Sequence, residues 1–171
     1  MTERWLHVLN EGSADDQVAA DLMACCSSRQ WADRMLDQRP YADSNALLVA
    51  SDAAIAALDD VGLADALAGH PRIGERPTGS AHEWSRREQS GVSTATAGVL
   101  EEIAAANAEY ERRFGRVYLV CATGKTADEL LAICRSRLGN DPQTEEGVVR
   151  IELAKITRIR LGRLLGSYDA A

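Results

Sequence analysis

His70-Pro71-Arg72-Ile73-Gly74-Glu75 sets a group that titrates near neutral pH beside a proline and a glycine, and Ser85, Glu88 and Gln89 follow on the next predicted helix. The residue before a proline is pushed out of the α region, so His70 takes a turn or extended conformation, and Gly69 before it suits a helix terminus. The imidazole is then presented at a helix C-terminus. Unpaired carbonyls there favour the imidazolium, which suits a general acid. Ser80-Ala81-His82-Glu83 has the form of a capping box, and Gly91 offers a stop. At about 100° per residue, His82, Ser85, Glu88 and Gln89 share a helix side that lacks apolar residues and faces either solvent or a polar pocket.

The elements that must position these groups read as short helices. Trp5, Leu6, Val8 and Leu9 make a first amphipathic turn, broken at Asn10-Glu11-Gly12-Ser13, and Val18, Leu22 and Met23 mark a second helix. A third carries Trp31, Met35 and Leu36 and stops before Arg39-Pro40. Ser44 can cap a fourth, and a fifth runs from Asp60 to Ala68. A long helix is predicted from about Thr94 to Arg113, carrying Val99, Ile103, Ala106 and Tyr110 and ended by Gly115. Residues 116–122 are the one strand-like run. A lone strand has no partner, so this run is expected as extended chain packed among helices. Thr126-Ala127-Asp128-Glu129 is a second capping box, and Asp141-Pro142 opens the last helix. The expectation is an all-α, single-domain bundle over residues 1–171, with about seven to nine helices.

With 171 residues the chain can bury a sizeable core without a metal or disulfide staple. A net charge of −7 with no basic stripe excludes nucleic acid and anionic membrane as expected partners. An anionic substrate would have to be held by local arginines. Cys25, Cys26, Cys121 and Cys134 have no metal-ligand spacing, and with neither a signal peptide nor a long apolar run they read as reduced thiols in a cytoplasm.

Arg160 stands in an aliphatic row of the last helix. Val149, Leu153, Ile156 and Leu164 share its face at separations of eleven, seven and four residues. Such an arginine either snorkels outward or is buried with an anionic partner. Arg158, beside Ile151, Ala154 and Leu165, is a weaker case of the same kind.

His70-Pro71-Arg72-Ile73-Gly74-Glu75, Ser85-x-x-Glu88-Gln89, Asn107-x-x-Tyr110 with Phe114-Gly115, and Lys155-Ile156-x-x-Ile159-Arg160 occur in the order seen in OHCU decarboxylases, and the chain resembles that family over nearly its whole length. Trp31 and Arg39-Pro40-Tyr41 extend the likeness toward the N-terminus. The Arg-Ile-Gly form of the histidine loop resembles the bacterial branch; the form familiar from animals has Asp-Leu-Ala-Gly after His-Pro. Residues 116–118 also lack the Phe-Pro-Phe of that form.

The resemblance implies an all-helical, cofactor-independent homodimer that converts 2-oxo-4-hydroxy-4-carboxy-5-ureidoimidazoline (OHCU) to (S)-allantoin in urate degradation. By position it implies His70 as proton donor, with Glu88 and Arg160 as its catalytic companions. Pro71, Ser85, Glu88, Gln89, Tyr118, Leu119, Val120, Cys121, Ala122 and Arg160 would contact substrate. Without it, His70 reads as a solvated loop histidine, Ser85, Glu88 and Gln89 as a solvated face, residues 118–122 as core, and His82 as a surface residue. Two other classes stay open. One is a metal-dependent hydrolase with His70, His82, Glu75 and Glu88 as ligands, although no His-Glu-x-x-His spacing exists. The other is a helical interaction module without catalysis, which calls for an exposed apolar groove.

Overall fold

Side chains that accept orphan helix amides, Ser28, Asp43, Asp59, Thr96, Thr126 and Asp141, fix most of the helix starts. The computed structural model describes residues 4–12, 15–75 and 82–169. Among them the regular elements are α1 (Arg4–Glu11), α2 (Asp15–Cys25), α3 (Arg29–Asp37), α4 (Ser44–Ala56), α5 (Asp60–Ala68), α6 (His82–Glu88), a 3-10 turn (Ser90–Val92), α7 (Ala97–Phe114), α8 (Ala127–Arg137) and α9 (Pro142–Asp169). The described residues are thus all-α, at the upper end of the expected helix count. The chain divides into two compact units, Met1–Gly69 with Ala154–Ala171, and His70–Leu153.

In the first unit Trp5, Leu9, Leu22, Trp31, Met35, Leu47 and Ile55 are buried. The Trp31 indole N–H donates to Ser51 Oγ at 3.3 Å, so the largest buried side chain of α3 also closes its polar edge against α4. The turn after α3 is tied down by Arg39 Nε to the Leu36 carbonyl (2.7 Å) and by the Tyr41 hydroxyl to the Met35 carbonyl (2.7 Å). α4 is capped by Asp43, whose carboxylate accepts the Ala46 N–H at 2.7 Å, one residue earlier than the Ser44 expected from sequence. Two adjacent cap-competent residues compete here, and the carboxylate takes the position. Arg158 forks onto Asp52 at 2.9 and 2.6 Å; with both side chains 38% exposed, the pair contributes about 0–1 kcal/mol.

The second unit is built around Ile73, Ile103, Tyr110, Tyr118, Val120, Leu130, Leu131 and Cys134. α7 starts at N-cap Thr96, later than the expected Thr94, because the 3-10 turn and its continuation occupy the intervening residues: Ser93 N–H bonds the Ser90 carbonyl and Ala95 N–H the Val92 carbonyl. It ends where expected, at Gly115, whose φ of 68° is left-handed. α8 has the full capping box of Thr126 and Glu129. The Asp141 carboxylate accepts the N–H groups of Gln143 and Thr144 and so caps α9 ahead of Pro142. Residues 117–122 run without regular structure, and 118–122 are buried throughout, as expected of extended chain packed among helices.

A buried ion pair that the sequence reading missed lies in this unit. Arg137, 6% exposed, donates to Glu145 Oε1 through Nε at 2.8 Å and to the Leu119 carbonyl through Nη1 at 2.6 Å. Glu145, 1% exposed, also accepts from the Tyr110 hydroxyl and from Asn140 Nδ2. The Arg137 guanidinium lies over the rings of Tyr110 and Tyr118, 5.6 and 5.0 Å from their centroids. Every donor and acceptor named here has a partner, which is the condition under which a buried pair is tolerated.

Candidate active site

The histidine loop begins at a helix end. Gly69 is the C-cap of α5, and its requirement is space, since a Cβ there would meet Ser27 Oγ at 2.0 Å. His70 and Pro71 follow, both half-buried, and Ile73 turns inward to the core of the second unit. Gly74 has φ of 88°, which only glycine adopts without strain, and it reverses the chain after Ile73.

Three side chains hold this loop from outside it. Gln89 Oε1 accepts the Gly74 N–H at 3.0 Å, and its Nε2 donates to the Arg72 carbonyl at 3.4 Å. Asn107 Nδ2, buried on α7, donates to the Ile73 carbonyl at 2.9 Å. Glu111 on α7 takes the Arg72 guanidinium, with Nη2 at 3.0 Å from Oε2. That ion pair holds the Glu111 carboxyl below its ordinary range. A groove of about 310 Å³ borders the loop, with Arg72, Ile73, Gly74, Leu100, Asn107 and Glu111 in its walls. His70, Ser85 and Glu88 are not among its lining residues.

The polar side of α6 is not a solvated face. Ser85 and Glu88 are 3% and 7% exposed, while Arg86 and Arg87 point to solvent. Burial at this level excludes the solvated reading for Ser85 and Glu88 and requires polar partners inside the protein. Gly91, expected as the stop of this helix, lies inside the 3-10 turn; α6 already ends at Glu88, and a Cβ on Gly91 would meet the Lys125 carbonyl at 2.1 Å. Ser80 and Ala81, the start of the predicted capping box, and the side chain of His82 lie outside the described residues.

The extended segment joins the same unit. Cys121 N–H donates to Glu152 Oε2 at 2.8 Å and the Cys121 carbonyl accepts Lys125 Nζ at 2.9 Å, while the Tyr118 hydroxyl donates to the Leu130 carbonyl at 2.9 Å. Burial raises the Cys121 thiol pKa; the Thr123 amide and Lys125 lower it, and the Glu152 and Glu88 carboxylates push it up. Glu88 is therefore within electrostatic reach of residue 121. The structure thus brings Gln89 onto the His70 loop.

Arg160 belongs to the first unit. It is 3% exposed, which removes the snorkelling alternative, and Nη1 lies 3.5 Å from the carbonyl of Cys25, the last residue of α2. A cation at a helix C-terminus is favourably placed. Burial pushes the neighbouring Cys26 thiol up to about 11, against the lowering effects of the Ser28 amide, Arg160 and the Thr157 hydroxyl. It is neutral at pH 7 and supplies no counter-charge.

The family model for OHCU decarboxylase matches residues 10–162. The chain belongs to the OHCU decarboxylase family. It is 32% identical over 127 residues to the 2-oxo-4-hydroxy-4-carboxy-5-ureidoimidazoline decarboxylase of Amia calva, covering 72% of this chain and 73% of that protein. With the uric acid degradation bifunctional protein TTL of Arabidopsis thaliana it shares 32% identity over 145 residues, 82% of this chain but 45% of the relative, so it spans under half of that protein's length. Among solved structures, a crystal structure of OHCU decarboxylase in the presence of (S)-allantoin superposes with a TM-score of 0.72 at 30% identity, covering 84% of this chain and 96% of that one. Family membership agrees with the resemblance carried by the histidine loop and the α6 motif. Asn107, an unassigned element of that resemblance, has a structural use as the anchor of Ile73. Arg137, Glu145 and Glu152 escaped the sequence reading, although Glu145 and Glu152 stand on the aliphatic row of Val149 and Ile156 that drew attention to Arg160.

Proposed function

We propose that this chain decarboxylates OHCU to (S)-allantoin in urate degradation. The observation that carries this reading is the family match over residues 10–162, joined by the likeness to an OHCU decarboxylase structure determined with (S)-allantoin. Cleavage of the carbon–carboxylate bond releases carbon dioxide and leaves an electron pair that the adjacent ring imine can take up. A proton delivered to one face of the ring carbon bearing the ureido group then sets the stereocentre. The substrate carries its own electron sink, so the protein's task is orientation, charge stabilisation and one proton.

In this reading His70 delivers the proton, an effect typically worth ~10² to 10⁴ in rate. Glu88, as an acceptor, holds ureido or ring N–H groups and orients the imidazole, and Ser85 supplies either donor or acceptor. Gln89 keeps the His70 loop in place at the edge of the site, and Pro71 packs against substrate. Residues 118–122 contribute backbone groups. Arg160 binds a substrate oxygen that gains charge in the transition state, where a planar two-pronged donor is most effective. The buried state of Glu88 and Arg160 supports these roles, because ionisable groups kept out of water are retained at a cost to folding. We propose further that the enzyme works as a cytoplasmic homodimer without cofactor. Among the described residues no helix is long and apolar enough to cross a membrane.

The test is incubation of the chelator-treated protein with freshly generated OHCU, followed by circular dichroism. The expected result is allantoin formed faster than in buffer and as the (S) enantiomer. Formation at the buffer rate, or activity lost to chelator and restored by zinc, would overturn the reading.

A further inference from the structure

The Cys121 peptide is flanked by opposite charges. Glu152 Oε2 accepts its N–H at 2.8 Å, and Lys125 Nζ donates to its carbonyl at 2.9 Å. In a sheet a neutral neighbouring strand would make such bonds. Here charged side chains from α9 and from the turn before α8 make them, and charge-assisted bonds are shorter and stronger than neutral ones. Glu152 is 8% exposed, so its carboxylate meets the Cys121 amide away from water.

We infer that Glu152 is a positioning residue for the proposed decarboxylation, orienting the Cys121 peptide and through it the backbone groups of residues 118–122 that bind substrate. The inference rests on the proposed reading of that segment as substrate-lining. Glu88, 7% exposed, acts on the same residue, since it and Glu152 both raise the proton affinity of the Cys121 thiol. One buried carboxylate thus fixes the backbone of residue 121, and the charge of a second is felt there. Movement of the segment would disturb both.

Two variants separate reach from charge. Glu152→Gln keeps the length and an acceptor but removes the charge; Glu152→Asp keeps the charge but is one methylene short of the Cys121 amide. For OHCU turnover, Glu152→Gln should stay within about threefold of the parent KM, and Glu152→Asp should raise KM about tenfold with a smaller change in kcat, the cost of a misplaced contact. A residue that only supports the fold would lower thermal stability in both without moving KM. Parental KM in Glu152→Asp, or equal impairment of the two variants, overturns the inference. Should the unsubstituted chain fail to turn over OHCU, the functional reading fails by itself. Hydrogen exchange at the Cys121 amide then decides the contact without substrate: protection kept in Glu152→Gln and lost in Glu152→Asp supports it, and equal protection overturns it.

Discussion

Gln89 Oε1 accepts the Gly74 N–H at 3.0 Å, so the residue that follows α6 also fixes the loop opened by His70. Its Nε2 reaches the Arg72 carbonyl as well, at 3.4 Å. Ser85 and Glu88 lie within the preceding turn, and one amide side chain therefore couples the helix that carries them to the loop that carries the proposed acid.

Gln89→Leu removes both bonds and leaves the Gly74 N–H without its acceptor. Because Gly74 is exposed and water can replace the acceptor, the expected loss is only about 0.5–1.5 kcal/mol of stability, with kcat/KM lower by about tenfold or more through displacement of the loop. Gln89→Glu, which keeps an acceptor for Gly74 but no donor for Arg72, should fall between. Denaturant unfolding and steady-state kinetics on the same preparations check this, and a destabilised variant with parental kinetics would make Gln89 a strut only.

Arg137→Met strands Glu145 in the interior. Removal of one partner from a buried pair costs about 3–5 kcal/mol, so this variant should be among the most damaging single changes in the second unit. Arg137→Met combined with Glu145→Leu should recover much of the loss, because it removes the unpaired charge. Urea midpoints of the two singles and the double provide the cycle. Additive losses would contradict the pairing.

Glu145 also sets an acid limit. Burial alone would raise its pKa, but hydrogen bonds from Arg137, Tyr110 and Asn140 and the Arg137 charge outweigh burial and leave the carboxyl below its ordinary range. A carboxyl depressed in the folded state adds stability above its unfolded pKa of about 4.3 and loses it as pH falls through the folded value. The stability difference between the parent and Glu145→Gln should therefore be full near pH 6 and shrink below about pH 4.3. Unfolding free energies measured across that range check the sign; a gap independent of pH would contradict it.

What was legible in the sequence was mostly local. Thr126 with Glu129, Asp141 with Pro142, and Gly115 act on backbone within four residues, and each does in the structure what its type predicts. Where two caps compete, as with Asp43 and Ser44, type alone leaves a one-residue ambiguity. Ser85 and Glu88 were visible as a polar side, but whether that side met solvent depended on distant packing. The contacts of Gln89 with Gly74, of Glu152 with Cys121 and of Arg137 with Leu119 join residues far apart in the chain, and no spacing rule announces them. Glu145 and Glu152 interrupt the same aliphatic row as Arg160, a pattern that marks them in the sequence as buried polar residues, and each is buried with named partners.

Arg160→Met completes that row. With the guanidinium buried rather than snorkelled and its bond to the Cys25 carbonyl lost, the variant should still fold but OHCU turnover should collapse by far more than any loss of thermal stability explains. Arg160→Lys should fail too, since a point charge does not reproduce a planar fork. Thermal melts paired with activity decide this. A stable, fully active Arg160→Met would remove it from the site.

The central claim is that His70 delivers one proton to one face of decarboxylated OHCU. The most direct measurement follows the optical activity of allantoin formed from freshly generated OHCU by the parent and by His70→Asn, with folding of both checked by far-ultraviolet circular dichroism. The parent should give dextrorotatory (S)-allantoin at a rate roughly 10² or more above His70→Asn, whose product should form near the spontaneous rate and without optical activity. A folded His70→Asn that still produces (S)-allantoin at the parental rate would contradict the account.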